Sequence, residues 1–323
     1  MTVKSLKDSS DTFDIHFPGN KPFDVVGFGL NSVDHLCVVP RYPQIDSKTD
    51  LIHYATLPGG QVATALTFLS RLGLKTKYVG KIGGDEFGRL SLESIRSELI
   101  DVSSVLVDPK AANQCAFIII DQQSGERTIL CHRDCRLDFK VSELKKEDVN
   151  PGKLLHLDGY DSAAAMLAAT HCQAQGIPVS LDLDRVVPRC AELIQKVDFL
   201  IVSSTFPGAF TGISDLQESL QALQSRCRGF LAVTLGHEGA MALVENQCFR
   251  FAGFEVKAVD TTGAGDIFHA GFIYGLLQNW PLKKIMAFAN AASALNCMSL
   301  GARGGIRPLS EILRLADQAP YSR

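Results

Sequence analysis

Short, apolar, β-rich runs alternate along the chain with segments whose apolar residues recur every three or four positions, the pattern of strands interleaved with amphipathic helices. DVVGFGL opens the regular structure as a buried strand, and HLCVVPRYP and TDLIHYATL add two extended pieces. The first helix, GGQVATALTFLSRLG, is opened by two glycines and closed by Gly73. TKYVGKI then runs through a Gly turn into FGRLSLESIRSEL, where Phe87, Leu90, Leu92, Ile95 and Leu99 fall at helical spacing. CAFIIIDQQSGERTILCHRD, two β-rich runs about the polar turn QQSGE, predicts a hairpin. From Lys153 onward LLHLDGY, AAAMLAATHCQAQG, PVSLDLD, AELIQKV and DFLIVSS read as strand, helix, strand, helix, strand. Such spacing implies a parallel sheet covered on both faces. FLAVTLGHEGAMAL and CFRFAGFEV supply late strands, and two final helices are expected to close the chain. The predicted fold class is therefore α/β: a three-layer α/β/α body with a mainly parallel central sheet. A small β-sheet lid is expected from residues near 35–57 and 113–134. Residues 1–22, polar and aperiodic, are expected to form a flexible leader, with the folded domain over 23–318.

Composition narrows the partners. With 323 residues, 46% of them hydrophobic, the chain can bury a large core. Its 32 basic residues stand against 35 acids, a net charge of -3, so no whole-chain field recruits nucleic acid or an anionic membrane. A small-molecule partner is expected. No run of 18 apolar residues appears and the start MTVKSLKDSSDTFD lacks a signal-peptide core, so a cytoplasmic location is expected. Nine cysteines without C-x-x-C pairs read as reduced thiols. CHRDC gathers Cys131, His132 and Cys135, but no second ligand pair stands at zinc spacing.

The chemistry concentrates in VDTTGAGDIFHAGFIYGLL, residues 259–277. Gly263, Ala264 and Gly265 stand at the entrance of a helix, where small residues let an anion approach the free N–H groups of the first turn. Asp266 lies in the same turn, placed to take a proton from a hydroxyl while those N–H groups steady a transferred phosphoryl group. DTTGAGD, late in the chain, resembles the second signature of the ribokinase-like (PfkB) carbohydrate kinase family, and LPGGQVATALTFLSRLG resembles its first. VVGFGLNSVDHLCVV looks like the family's first strand and the loop carrying a substrate-binding aspartate, here Asp34. VTLGHEGA resembles its nucleotide-side T-L-G-x-x-G segment, and FANAASALNCMSLGARGG the helix and loop flanking adenine. KIGGDEFGRL spells the letters that name the diguanylate cyclase domain, but its strand, turn and helix setting fits the kinase family's G-x-D-x-x-G turn instead of the cyclase hairpin.

The resemblance implies phosphoryl transfer from ATP, with Mg2+, to a sugar hydroxyl under a closing lid. It assigns Asp34, Gly59, Gly60 and Thr64 to the acceptor, Asp266 with Gly263, Ala264 and Gly265 to catalysis, and Thr234, Gly236, Gly239 and Asn290 to the nucleotide. Asp260 and Thr262 could contribute to the monovalent-cation loop that some relatives possess. Arg133 and Arg185 are candidates to grip an anionic acceptor. Two departures stand out. Thr64 replaces a frequent asparagine, and no N-x-x-E follows DFLIVSS, where TFPGAF stands instead, so the metal ligands are unassigned. A nucleoside kinase of the same fold and a catalytically silent sugar-binding or regulatory module are the alternatives. The extended lid pieces predict a homodimer with lid packed on lid.

Overall fold

The computed structural model describes residues 11–319. Thirteen strands are present among them: β1 (Phe23–Phe28), β2 (Ser32–Val39), β3 (His53–Gly59), β4 (Thr76–Gly83), β5 (Asp101–Asp108), β6 (Cys115–Asp121), β7 (Arg127–His132), β8 (Gly152–Leu157), β9 (Val179–Leu183), β10 (Phe199–Ser203), β11 (Phe230–Thr234), β12 (Ala240–Val244) and β13 (Gln247–Phe251). The helices are α1 (Gln61–Arg71), α2 (Glu86–Arg96), α3 (Lys146–Val149), α4 (Ser162–Ala174), α5 (Cys190–Leu193), α6 (Phe206–Thr211), α7 (Leu216–Gln224), α8 (Ala264–Leu277), α9 (Leu282–Asn296) and α10 (Leu309–Ala316).

Nine strands form one sheet in the order β13-β12-β11-β10-β9-β8-β1-β4-β5. It is parallel from β5 across to β11, whereas β12 and β13 join antiparallel, as short connections allow. One face packs on α1, α8 and α9 through Leu66, Phe68, Phe272 and Phe288; the other buries Leu155, Leu181, Leu200 and Leu231 with Ala165 and Ala168 of α4. The sheet is thus covered on both sides, as its apolar strands demand. α10, with Ile312 buried, is a third closing helix beyond the two expected; its short pattern of Leu309, Ile312 and Ala316 is easily read as an aperiodic tail.

The lid is a second sheet of four strands, ordered β3-β2-β6-β7, in which β2 and β6 run parallel and the outer pairs antiparallel. Directly paired residues share a face. Asp34, Leu57, Ala116 and Cys131 therefore lie on one face and His35, Thr56, Phe117 and Leu130 on the other.

The leader needs correction where it is described. Thr12 bridges Pro281, and Phe13 is buried edge-on against Phe199, Phe230 and Phe272. Phe13, with Ile15 and Phe17 packed partly buried against the same core, anchors a stretch whose composition is otherwise polar. The rest of the expected leader, residues 1–10, lies outside the described residues.

Candidate active site

The site gathers at the carboxyl ends of the parallel strands, where the loops diverge and ligands reach backbone and side chains alike. α8 supplies its centre. Gly263 caps the helix with φ 77°, and a Cβ there would meet the Ala302 carbonyl oxygen at 2.5 Å, so only glycine makes this entry. The Ala264 N–H donates to Thr261, while the N–H groups of Gly265 and Asp266 have no main-chain acceptor among the described residues. Space above Gly265 is open: a Cβ built there meets nothing within 4 Å. Unpaired donors facing an open cleft at a helix N-terminus form an anion cradle.

Asp266 is partly buried in this turn. Burial raises its carboxyl well above the ordinary value; the nearby charges of Asp182 and Asp34 add to this, and Arg127 opposes it. Arg127 comes from the lid and donates from Nη1 to Thr261 Oγ1 at 2.6 Å, so it crosses from the lid to the loop that leads into α8. Asp260 braces that loop from within. Its Oδ1 accepts from the N–H and hydroxyl of Thr262 at 2.8 and 2.6 Å, and its Oδ2 from the Gly301 N–H at 2.8 Å.

Among the residues expected to hold the acceptor, Asp34 is buried and accepts from Ser32 Oγ at 3.0 Å. Burial pushes its carboxyl up to about 6, against the pull of Ser32 and Arg303. Gly59 lies against this carboxylate, where a Cβ would come within 2.1 Å of Oδ2. Gly60, with φ 93°, is pressed against the Leu30 carbonyl. The two glycines thus shape a turn beside Asp34 that side chains would destroy.

Arg303 completes this side and was not singled out in the sequence. It is buried, donating from Nη2 to the Gly59 carbonyl at 2.7 Å, from Nη1 to Ser94 Oγ at 3.2 Å and from Nε to Thr64 Oγ1 at 3.3 Å. Burial lowers its guanidinium to about 10, with Asp34 and Asp266 opposing, so it stays cationic at neutral pH. Thr64 is fully buried and its hydroxyl accepts from Arg303, which ties it to the Gly59 turn instead of leaving it open to the site. The lone charge within LGARGG was the available signal.

Two further candidates find partners within the protein. Arg133 donates from Nη2 to Asp161 Oδ2 at 2.9 Å and from Nη1 to Gln114 Oε1 at 3.0 Å, and it covers the Tyr160 ring. Its charge is already matched within the protein. Asn290 donates to the carbonyls of Phe251 and Ala252 at 3.0 and 3.1 Å, so its amide holds the end of β13. Arg185, 5.2 Å from the centre of the Tyr160 ring, is exposed with Asp184 at 3.6 Å. Thr234 ends β11 beside Ser203, with Gly236 exposed after it. Gly239, φ 95°, abuts the Phe251 carbonyl and closes the turn into β12.

The model of the pfkB family carbohydrate kinases matches residues 24–308. This chain belongs to that family. Among its relatives, the kinase is 27% identical over 304 residues to a probable fructokinase-5 of Arabidopsis thaliana, covering 86% of this chain and 92% of that protein. A crystal structure of a putative ribokinase from Agrobacterium tumefaciens superposes with a TM-score of 0.83 at 27% identity, covering 92% of this chain and 98% of that one. A putative ribokinase II of E. coli, crystallised with ATP and magnesium, shares the fold at a TM-score of 0.79 and 20% identity, over 92% and 99% of the two chains. The GGDEF letters accordingly sit where β4 ends and α2 begins, with Asp85 capping α2 through the Gly88 N–H at 2.9 Å. No helix among the described residues is long and apolar enough to cross a membrane.

Proposed function

We propose that this kinase transfers the γ-phosphoryl group of ATP to a hydroxyl of a monosaccharide or sugar derivative, with Asp266 as general base. One observation carries the reading: a carboxylate raised well above its ordinary value shares a single helical turn with unpaired N–H groups over open space. Asp266 takes the acceptor's proton as the hydroxyl oxygen bonds to phosphorus. The bond to the bridging β,γ oxygen breaks, and ADP leaves. Gly263, Ala264 and Gly265 let the phosphoryl oxygens reach the N–H groups, and Arg127 adds positive charge from the lid. Asp34, able to accept two hydroxyl donors, and the turn at Gly59 and Gly60 orient the sugar. Thr234 and Gly236 border the nucleotide at the same sheet edge.

Magnesium, when bound with ATP, neutralises phosphate charge. The missing N-x-x-E is compatible with this role, because the edge still offers hard oxygen donors. The Ser203 hydroxyl donates to the main-chain carbonyl of Asp184 at 2.9 Å and lies 3.2 Å from the Thr205 hydroxyl, so these oxygens, with the Asp184 side chain on the same loop, would hold the ion through its waters.

A sugar suits the site better than a nucleoside. Tyr54 and Phe117, the aromatics that could stack a base, lie on the lid face opposite Asp34, where Phe117 stacks on His35 at 4.8 Å. That outer face exposes Tyr54, Phe117 and Leu130. We infer that it packs against the lid of a second copy.

The test is ADP release from Mg-ATP over hexoses, ketoses, sugar acids, sugar phosphates and nucleosides, with Asp266→Asn alongside. A sugar-dependent signal, lowered by about three orders of magnitude or more in the variant with ATP binding kept, is the expected result. Turnover retained in Asp266→Asn would remove the base assignment. Silence over the panel with sugar binding intact by calorimetry would favour the binding-module alternative.

A further inference from the structure

Beneath the site, four buried polar atoms stand without partners: both ring nitrogens of His156, the hydroxyl of Ser180 and Nδ1 of His269. They converge. His156 and Ser180 are register partners on β8 and β9, and the His156 and His269 rings lie 5.8 Å apart. All three side chains are almost wholly inaccessible to bulk solvent. A neutral imidazole always carries one N–H donor, so His156 by itself leaves one donor and one acceptor unmet. Buried groups of this kind are normally satisfied by internal water wherever a polar space admits it.

Asp182 stands at the rim of this cluster. Its Oδ1 is 3.1 Å from His269 Nε2, and its Oδ2 is 3.4 Å from Gln61 Nε2. Gln61 begins α1 directly after the acceptor turn at Gly60, and His269 lies one helical turn beyond Asp266 on α8. One carboxylate therefore ties the start of the acceptor helix to the catalytic helix. Burial of Asp182 would favour its neutral form, but His269 pulls its carboxyl below the ordinary value, so the tie is charged. His156 is held down to about 3 by burial and by His269, so it stays neutral.

We propose that Ser180, His156 and His269 line an internal water-filled chamber, and that Asp182 at its rim is a positioning residue that fixes the acceptor turn relative to the catalytic helix. The second half rests on the assignment of Asp266 as base; the chamber does not. Side chains of β8 and β9 that face α8 would normally be apolar in a sheet covered on both sides, and here they read His156, Ser180 and Asp182 within LLHLDGY and PVSLDLD. Water in the chamber would satisfy the imidazoles and leave the Asp182 carboxylate its fixed geometry.

A high-resolution crystal structure of the whole protein should show ordered water within hydrogen-bonding reach of both His156 and Ser180. A dry chamber overturns that part. For the positioning role, Asp182→Asn keeps the shape and removes the charge. Per folded molecule, we expect acceptor KM to rise and kcat to fall, each by about tenfold or more, with ATP KM unchanged. The double variant with His269→Asn should add little to either single one, since the two residues act as a unit. Unchanged acceptor KM and kcat, or a simple loss of folded protein with normal kinetics in the remainder, overturns the role. If Asp182→Asn does not fold, His269→Asn by itself is read in the same way. If the wild-type protein proves inactive, calorimetric acceptor affinity replaces KM, so failure of the kinase reading and failure of the positioning device remain distinct.

Discussion

The proposed acceptor side and the proposed nucleotide side of this site are built from different materials. Around the acceptor, buried charged side chains are fixed by named partners: Asp34 by Ser32, Arg303 by Gly59, Ser94 and Thr64, and Asp182 by His269 and Gln61. Around the nucleotide, the surfaces are mainly backbone and small residues, with Gly265 open above the first turn of α8 and Gly236 exposed beyond β11. The difference follows from the ligands' chemistry. Phosphates are the same in every nucleotide and are held well by main-chain N–H groups, whereas an array of hydroxyls is distinguished only by placed side chains. Substitutions on the acceptor side should therefore alter selectivity, and those on the nucleotide side should mostly alter stability or general activity.

The strongest challenge to that division is Arg303→Met. It leaves the Gly59 carbonyl without its donor and Asp34 without its cation, so acceptor KM should rise by about 100-fold while ATP KM moves little. A parallel rise in both constants would erase the distinction. Next is the pH dependence of acceptor binding. Asp34, raised to about 6, is the ionised acceptor of two hydroxyl donors only above that pH. Acceptor KM should therefore climb by up to about tenfold per pH unit as pH falls through 6, with ATP KM flat, as read from initial rates across a buffer series. The same raised carboxyl has the opposite sign for stability. The folded state holds this proton more tightly than the unfolded chain, so its contribution to ligand-free stability falls as pH rises from about 4 through about 6 and then levels off.

A moderate effect is expected at the lid. Phe117→Asp on the outer face should convert a dimer to a 35.0 kDa particle in light scattering while the acceptor face stays intact. A wild-type protein that is already of that mass would remove the proposed lid pairing. The smallest effect should come from Asn290→Ala. Losing two hydrogen bonds to the carbonyls of Phe251 and Ala252 should lower stability by about 1–3 kcal/mol in denaturant melts, with ATP KM changed less than about twofold. A large rise in ATP KM would restore Asn290 to the nucleotide.

Periodicity in the sequence was enough for the elements that repeat a pattern over several turns or residues, and it missed those that rest on one contact. β1 to β4, the β6–β7 hairpin and the β8 to β10 alternation follow directly from apolar runs and turn residues. Phe13, with Ile15 and Phe17, escaped because three apolar residues among polar ones are too few to mark an element, and α10 because two turns give too few repeats. The same contrast holds within the site. The turns at Gly60 and Gly263 were legible because the backbone there tolerates only glycine. The partners of Arg133 and Asn290 were not legible, since Asp161, Gln114, Phe251 and Ala252 lie 19 to 39 residues away along the chain.

The amino-acid order by itself determined the α/β layering, the glycine turn that opens α1, and the helix entry that brings Asp266 beside unpaired N–H groups. These depend on local dihedral freedom and local hydrophobic spacing, which each segment carries with it. Only the tertiary structure decided which charges meet. Arg303, 244 positions beyond Gly59, reaches its carbonyl, and Asp182 joins Gln61 to His269 across three elements. A long polar side chain can point in many directions, and the protein interior selects one by leaving a buried charge no other partner.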